Sequence, residues 1–203
     1  MRQQGLSMIR WYPPFLGVLV GATCLAVIPS TVSAESAIRT VAAPVPSSGG
    51  SVVLPQMASV TFPPQAFVRD THVRLSATAS LEVQADFEAT ASIFGPQKRL
   101  PYEFRVNSGE HPPAKDFVMT ITLPNSFLRS LPPDALIGVF GQVYEEGGEE
   151  ILDSFQMFHS EKIQSRGKVR AALPREVFTN KRGTDGTYEA IVIVAALLAS
   201  DRP

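Results

Sequence analysis

The sharpest alternation of apolar and polar positions in the chain runs from Leu81 to Ile93. Leu81, Val83, Ala85, Phe87, Ala89, Ala91 and Ile93 take the odd positions, with Glu82, Gln84, Asp86, Glu88, Thr90 and Ser92 between them. Successive side chains of an extended chain point to opposite faces. The spacing therefore predicts a strand, or two strands joined by a bend, with one dry face and one wet face. A dry face needs a partner, and the same two-residue period recurs along most of the chain.

Ser51–Leu54 and Ala58–Phe62 are short runs of this kind, the second closed by Pro63-Pro64. In Thr71–Thr78, Val73, Leu75 and Ala77 oppose His72, Arg74 and Ser76. In Tyr102–Asn107, Tyr102, Phe104 and Val106 oppose Glu103, Arg105 and Asn107, and Phe117–Leu123 alternates likewise. Asn125–Leu131, between prolines, suits one short helical turn. Leu136–Tyr144 and Ile151–Phe158 flank Gly147-Gly148, whose freedom to take positive φ predicts a hairpin turn. Lys168–Leu173 is a further short strand, and Tyr188–Ala196 is apolar on both faces after Glu189, which places it centrally and covered on both sides. About ten strands at such spacing, with no amphipathic helix of useful length, predict an all-β fold. The expected form is an antiparallel two-sheet β-sandwich, immunoglobulin-like in general architecture. A membrane barrel would need a lipid-compatible outward face, whereas the polar faces here carry Glu, Asp, Arg and Lys.

The N-terminus follows a different rule. Arg2 and Arg10 precede the apolar run Phe15–Ile28, followed by Pro29, Ser30 and the small-residue triplet Val32-Ser33-Ala34. This is the order of a secretory signal peptide, with cleavage between Ala34 and Glu35. Cys24 reads as a small apolar residue of the signal core. Segments 1–34, 35–48 and 49–203 are thus expected to be a signal peptide, a flexible Pro-containing leader and one sandwich domain. No membrane span is expected in the mature chain, and its address is periplasmic or extracellular. Removing the two Arg of the signal from 18 basic residues leaves 16 against 19 acidic ones, a net charge of −3. Cys24 and Trp11, the sole residues of their kinds, leave with the signal. The mature fold then needs no disulfide, and its lack of basic excess argues against nucleic acid as a partner.

Gly49–Thr78 resembles the opening of the β-sandwich module of ankyrins and netrin receptors, the ZU-five type. Gly49-Gly50, Leu54-Pro55, the corner Phe62-Pro63-Pro64 with Ala66, and then Val73 and Leu75 follow that family's order, with Gln65 where the family usually has Gly. The resemblance implies a non-catalytic protein-interaction surface. Some relatives also cleave themselves at His-Phe-Ser, and this chain carries the same residue types as Phe158-His159-Ser160. Cleavage by an N→O shift would use the Ser160 hydroxyl against the His159 carbonyl.

Candidate chemistry is sparse. His72, His111 and His159 stand apart from one another, without metal-ligand spacing. Glu145, Glu146, Glu149, Glu150 and Asp153 form the densest charge cluster, a weak metal candidate for calcium, although acids beside Gly-Gly more often keep a hairpin tip solvated. Arg166, Lys168, Arg170, Arg175, Lys181 and Arg182 form a basic half-cluster that suits a solvated face or an acidic partner. The expected function is therefore binding or assembly at the cell envelope or outside the cell, toward a protein or envelope polymer, with no catalytic residues and no cofactor. A self-cleaving or calcium-stabilised envelope domain is the alternative. The intact mass of protein recovered from an exporting cell is expected to show one species beginning at Glu35. Two complementary fragments meeting near His159 would establish self-cleavage instead.

Overall fold

Alternating runs become strands in the order in which the sequence presents them. The computed structural model describes residues 39–79, 87–88, 93, 95, 97–145, 152–162, 167–180 and 186–198. The strands are β1 (Arg39–Val45), β2 (Gly50–Leu54), β3 (Ala58–Phe62), β4 (Thr71–Thr78), β5 (Gln97–Arg99), β6 (Glu103–Asn107) and β7 (Phe117–Thr122). After the helical turn α1 (Asn125–Arg129) come β8 (Leu136–Glu145), β9 (Leu152–Lys162), β10 (Lys168–Leu173), β11 (Thr179–Asn180) and β12 (Tyr188–Leu197). All these elements belong to the unit Ala34–Pro203; the separate unit Met1–Ser33 lies outside the described residues, as does the cleavage point Ala34–Glu35.

The larger sheet has the order β1-β4-β6-β12-β8-β9, and the smaller has β10-β7-β3-β2. Every pairing is antiparallel. β1 lies over β2 and β9 over β10, so the two sheets meet edge above edge. This is the expected all-β, two-sheet antiparallel sandwich. Its interior comes from the inner rows of both sheets: Val73, Leu75 and Ala77 of β4 and Phe104 and Val106 of β6 face Val60, Met119 and Ile121 of the smaller sheet. Phe62 anchors one end, with its ring centroid 5.4 Å from Phe117 and 5.0 Å from Phe67.

β12 is the spine of the larger sheet. One side pairs β6 through Glu189–Val192 and β5 through Ala195–Leu197; the other pairs β8 through Val192–Leu197 and β11 at Tyr188 and Glu189. Ala190, Val192, Val194 and Ala196 face the smaller sheet. Ile191, Ile193 and Ala195 face outward, yet they are buried in a second apolar cluster with Phe87, Phe140 and Phe155. The Phe87 ring stands edge-on to Phe140 at 5.1 Å and to Phe155 at 5.5 Å, favourable geometry for aromatic pairs. β12 is central and covered on both sides, as its two apolar faces predict.

Two expectations need correction. Residues 35–48 are not wholly a leader, because Arg39–Val45 forms β1 and pairs with β4 in the register Arg39↔Ala77 to Val45↔Thr71. Val41, Ala43 and Val45 alternate toward the core, and Pro44 is tolerated because β1 is an edge strand that needs one ladder only. Within Leu81–Ile93, residues 81–86 and 89–92 lie outside the described residues, but Phe87 and Glu88 are helical rather than extended. Phe87 is fully buried while Ile93 is 77% exposed, so the odd positions do not share one dry face. The outward apolar row of β12 and β8 needs a cover, and seating a single large ring there outweighs the local strand pattern.

Gly49 makes the turn from β1 into β2 possible. Its φ is +90°, and a Cβ there would come within 2.9 Å of the Phe62 carbonyl oxygen. Gln65 also takes positive φ, at 63°, and its backbone N–H donates to the Ser47 carbonyl at 2.7 Å. The β1–β2 turn and the corner after β3 are thereby held together.

Replacing Phe87 with Ala is expected to cost about 3–5 kcal/mol in urea denaturation, since it removes the only described ring from outside the sheet that caps Ile191 and Ile193. Val68→Ala, at a position 98% exposed, is expected to stay within about 0.5 kcal/mol of the parent.

Candidate functional site

The inner rows of the sandwich run out at one end, and a cleft opens there. On β4 the inward series Val73, Leu75 and Ala77 ends in small Ala77, and exposed Ala79 follows just past the strand; both alanines line the cleft. On β1 the inward series of Val41, Ala43 and Val45 begins at Arg39, opposite Ala77. A core-facing register position is therefore occupied by a guanidinium that the chain leaves exposed. Tyr102 enters β6 from the same end, half-buried, its ring edge-on to Phe104 at 5.4 Å. The smaller sheet contributes the β2–β3 turn. Gln56 takes a φ of 64° there, and the Met57 carbonyl accepts the Thr122 N–H at 2.7 Å.

The resulting cleft measures about 480 Å³. Met57, Pro101, Pro124 and the Tyr102 ring give it mostly apolar walls, with Arg39, Gln56, Thr122 and the Tyr102 hydroxyl as its polar groups. That combination is the usual make-up of a small-molecule site: a greasy concavity of a few hundred Å³ with a few polar groups that fix orientation. Among the described residues Arg39 is its only charged lining residue. Burial raises the Tyr102 pKa above 10.0 because the phenolate is the costlier form to desolvate, and the nearby Arg39 charge pulls it partly back down. The two side chains therefore sense each other electrostatically.

The residues singled out in the sequence do not converge on this cleft. Of the acidic cluster, Glu146, Glu149 and Glu150 lie outside the described residues. The backbones of Glu145 and Asp153 stand in the β8–β9 ladder opposite Leu152 and Tyr144, so the two strands pair as the hairpin pattern predicts. Among the described residues no three His, Cys, Asp or Glu side chains cluster as metal ligands do. His72 is exposed on β4, and His111 sits in the loop after β6, where its ring nitrogen bonds the Arg69 guanidinium. His159 and Ser160 lie in the regular ladder of β9 opposite Val139 and Gly138, just past a bulge, and neither has positive φ. Lys168 and Arg170 are exposed on β10, while Arg175 pairs with Glu176 at 3.1 Å; Arg166, Lys181 and Arg182 lie outside the described residues.

Sequence reading missed a second polar feature, on the outer face of the larger sheet. Glu103 was expected on a wet face but is only 2% exposed. The Arg105 guanidinium donates to Glu103 Oε1 at 2.6 Å and to Glu189 Oε2 at 3.2 Å, joining β6 to β12. Burial alone would lower the Arg105 pKa; the Glu103 charge and hydrogen bond, with help from Glu189, outweigh it and raise the value. With Arg105 bridging Glu103 and Glu189, the cluster ties β6 to β12. The two-residue spacing of Glu103 and Arg105 was visible in sequence, but their closure onto Glu189 depends on the β6–β12 register.

No protein-family model matches the chain, and no curated protein matches it significantly.

The Arg39–Tyr102 coupling predicts a titration result. Tyr102 is expected to ionise above the ordinary tyrosine value of 10.0, and Arg39→Gln to move it further up, because the cation that favours the phenolate is gone. A folded-state value above the unfolded one gives stability that is fully present below pH 10.0 and declines as pH rises through the folded value. Tyrosine ring NMR across roughly pH 9–12, which spans the usual tyrosine range, checks the shift; no movement in Arg39→Gln would mean that the two groups are not coupled.

Proposed function

We propose that the protein is an exported, non-catalytic β-sandwich that acts by binding at the cell envelope or outside the cell, and that it binds through the cleft between Arg39 and Tyr102. The cleft carries this reading, with apolar walls from both sheets and one cation placed at a core-facing position. The signal-like order of residues 1–34 supports export. The order of residues in Gly49–Thr78 resembles the ankyrin and netrin-receptor module, and Gln65, where that family usually has Gly, takes a φ of 63°. That family implies interaction rather than turnover. Among the described residues no helix is long and apolar enough to cross a membrane.

A photo-crosslinking amino acid at Gln56, on the rim of the cleft, is expected to capture a defined envelope component in exporting cells. The same group at Val68, on a remote exposed loop, is expected to capture none. Ala79→Trp, which fills the cleft from an exposed position, is expected to abolish the Gln56 product. Equal capture from both positions, or capture indifferent to Ala79→Trp, would refute the cleft as the binding surface.

A further inference from the structure

The chemistry of this cleft narrows what it can hold. Arg39 presents a planar fork of N–H donors, and a carboxylate matches that fork with two parallel hydrogen bonds. Among the described residues no carboxylate pairs with Arg39, and none lines the cleft. The contrast with Arg105, held between Glu103 and Glu189, shows how this chain treats an arginine whose role is internal. The Tyr102 hydroxyl stays protonated through the physiological range, because burial holds its pKa above 10.0, and so remains a donor in the cleft that Arg39 also lines. Met57, Pro101, Pro124 and Ala79 supply apolar lining to the same cleft. One cation suits a single negative charge. A phosphate dianion would want more donors than one guanidinium and one phenol supply, and a cationic ligand would be repelled.

From this geometry we infer that the cleft binds a small amphipathic carboxylate, with its charged end on Arg39 and Tyr102 and its apolar body along Met57 and the prolines. The inference rests on the binding reading above and names the ligand class for that same site. A short fatty acid and the free C-terminus of an apolar peptide both carry this chemistry.

Titration of the mature full-length protein with octanoate, octan-1-ol and N-acetyl-leucine, followed by tyrosine ring NMR and calorimetry, tests it. Octanoate is expected to saturate and to shift the Tyr102 resonances, with octanol bound about tenfold more weakly, the worth of a charge-assisted hydrogen bond. Arg39→Gln is expected to weaken octanoate about tenfold and to erase the difference from octanol, with the thermal unfolding midpoint unchanged. Tyr102→Phe keeps the ring and removes one donor, and is expected to weaken octanoate about threefold to tenfold. Preference for N-acetyl-leucine over octanoate would assign the peptide-terminus source; preference for octanoate, the fatty-acid source. Absence of saturable binding by either carboxylate, or equal affinity in Arg39→Gln, overturns the proposal. If Gln56 crosslinking persists in that case, only the ligand class fails; if it is lost as well, the binding reading fails with it.

Discussion

A strand that is apolar on both faces cannot lie at an edge or face water, and the architecture of this protein follows from that requirement at β12. Its inner row, Ala190, Val192, Val194 and Ala196, is covered by the smaller sheet, and its outer row, Ile191, Ile193 and Ala195, by Phe87 with Phe140 and Phe155. Each buried Val, Ile or Phe side chain contributes about 1.5–3 kcal/mol relative to exposure. Losing either cover would thus cost a large part of a domain's net stability, which is of order 5–15 kcal/mol. The ten-residue length of β12 also lets it serve four neighbouring strands, β6 and β5 on one side and β11 and β8 on the other.

Polar groups are managed differently in the middle of the larger sheet and at its end. In the middle, Arg105 is enclosed by Glu103 and Glu189. The burial of Glu103 is tolerated because its charge is paired with that of Arg105. At the end, Arg39 occupies an inward register without such enclosure. The same residue type on one sheet thus serves in one place as a fastener between strands and in the other as an open donor. Small Ala77 on the neighbouring strand, and Ala79 just past its end, line the cleft together with that arginine.

The sandwich was legible because period-two alternation reports directly on one-sided burial. Lys168–Leu173 was read to the residue, and so were Ala58–Phe62 and Thr71–Thr78 with their inward rows. β1 was not legible: three small apolar positions and a proline look the same in a tether and in an edge strand, and only pairing with β4 distinguishes them. The cleft was invisible for the same reason, since Arg39 and Tyr102 lie 63 positions apart and come to line one cleft only because β1, β4 and β6 are consecutive in the sheet. His159, Ser160 and the acidic hairpin drew attention as local clusters, but local clustering reports on composition and not on which side chains share a concavity.

By itself the amino-acid sequence determined the class of fold, the faces of most strands and the central place of β12, because each of these is a consequence of which side chains must avoid water within a few residues of chain. Tertiary structure alone decided that Phe87 leaves its alternating run to cap the outer face, that Glu189 closes onto Arg105, and that an arginine at the start of an edge strand lines one cleft with a tyrosine two strands away. These depend on register and strand order, which couple residues far apart in the chain through burial and charge that no local pattern records.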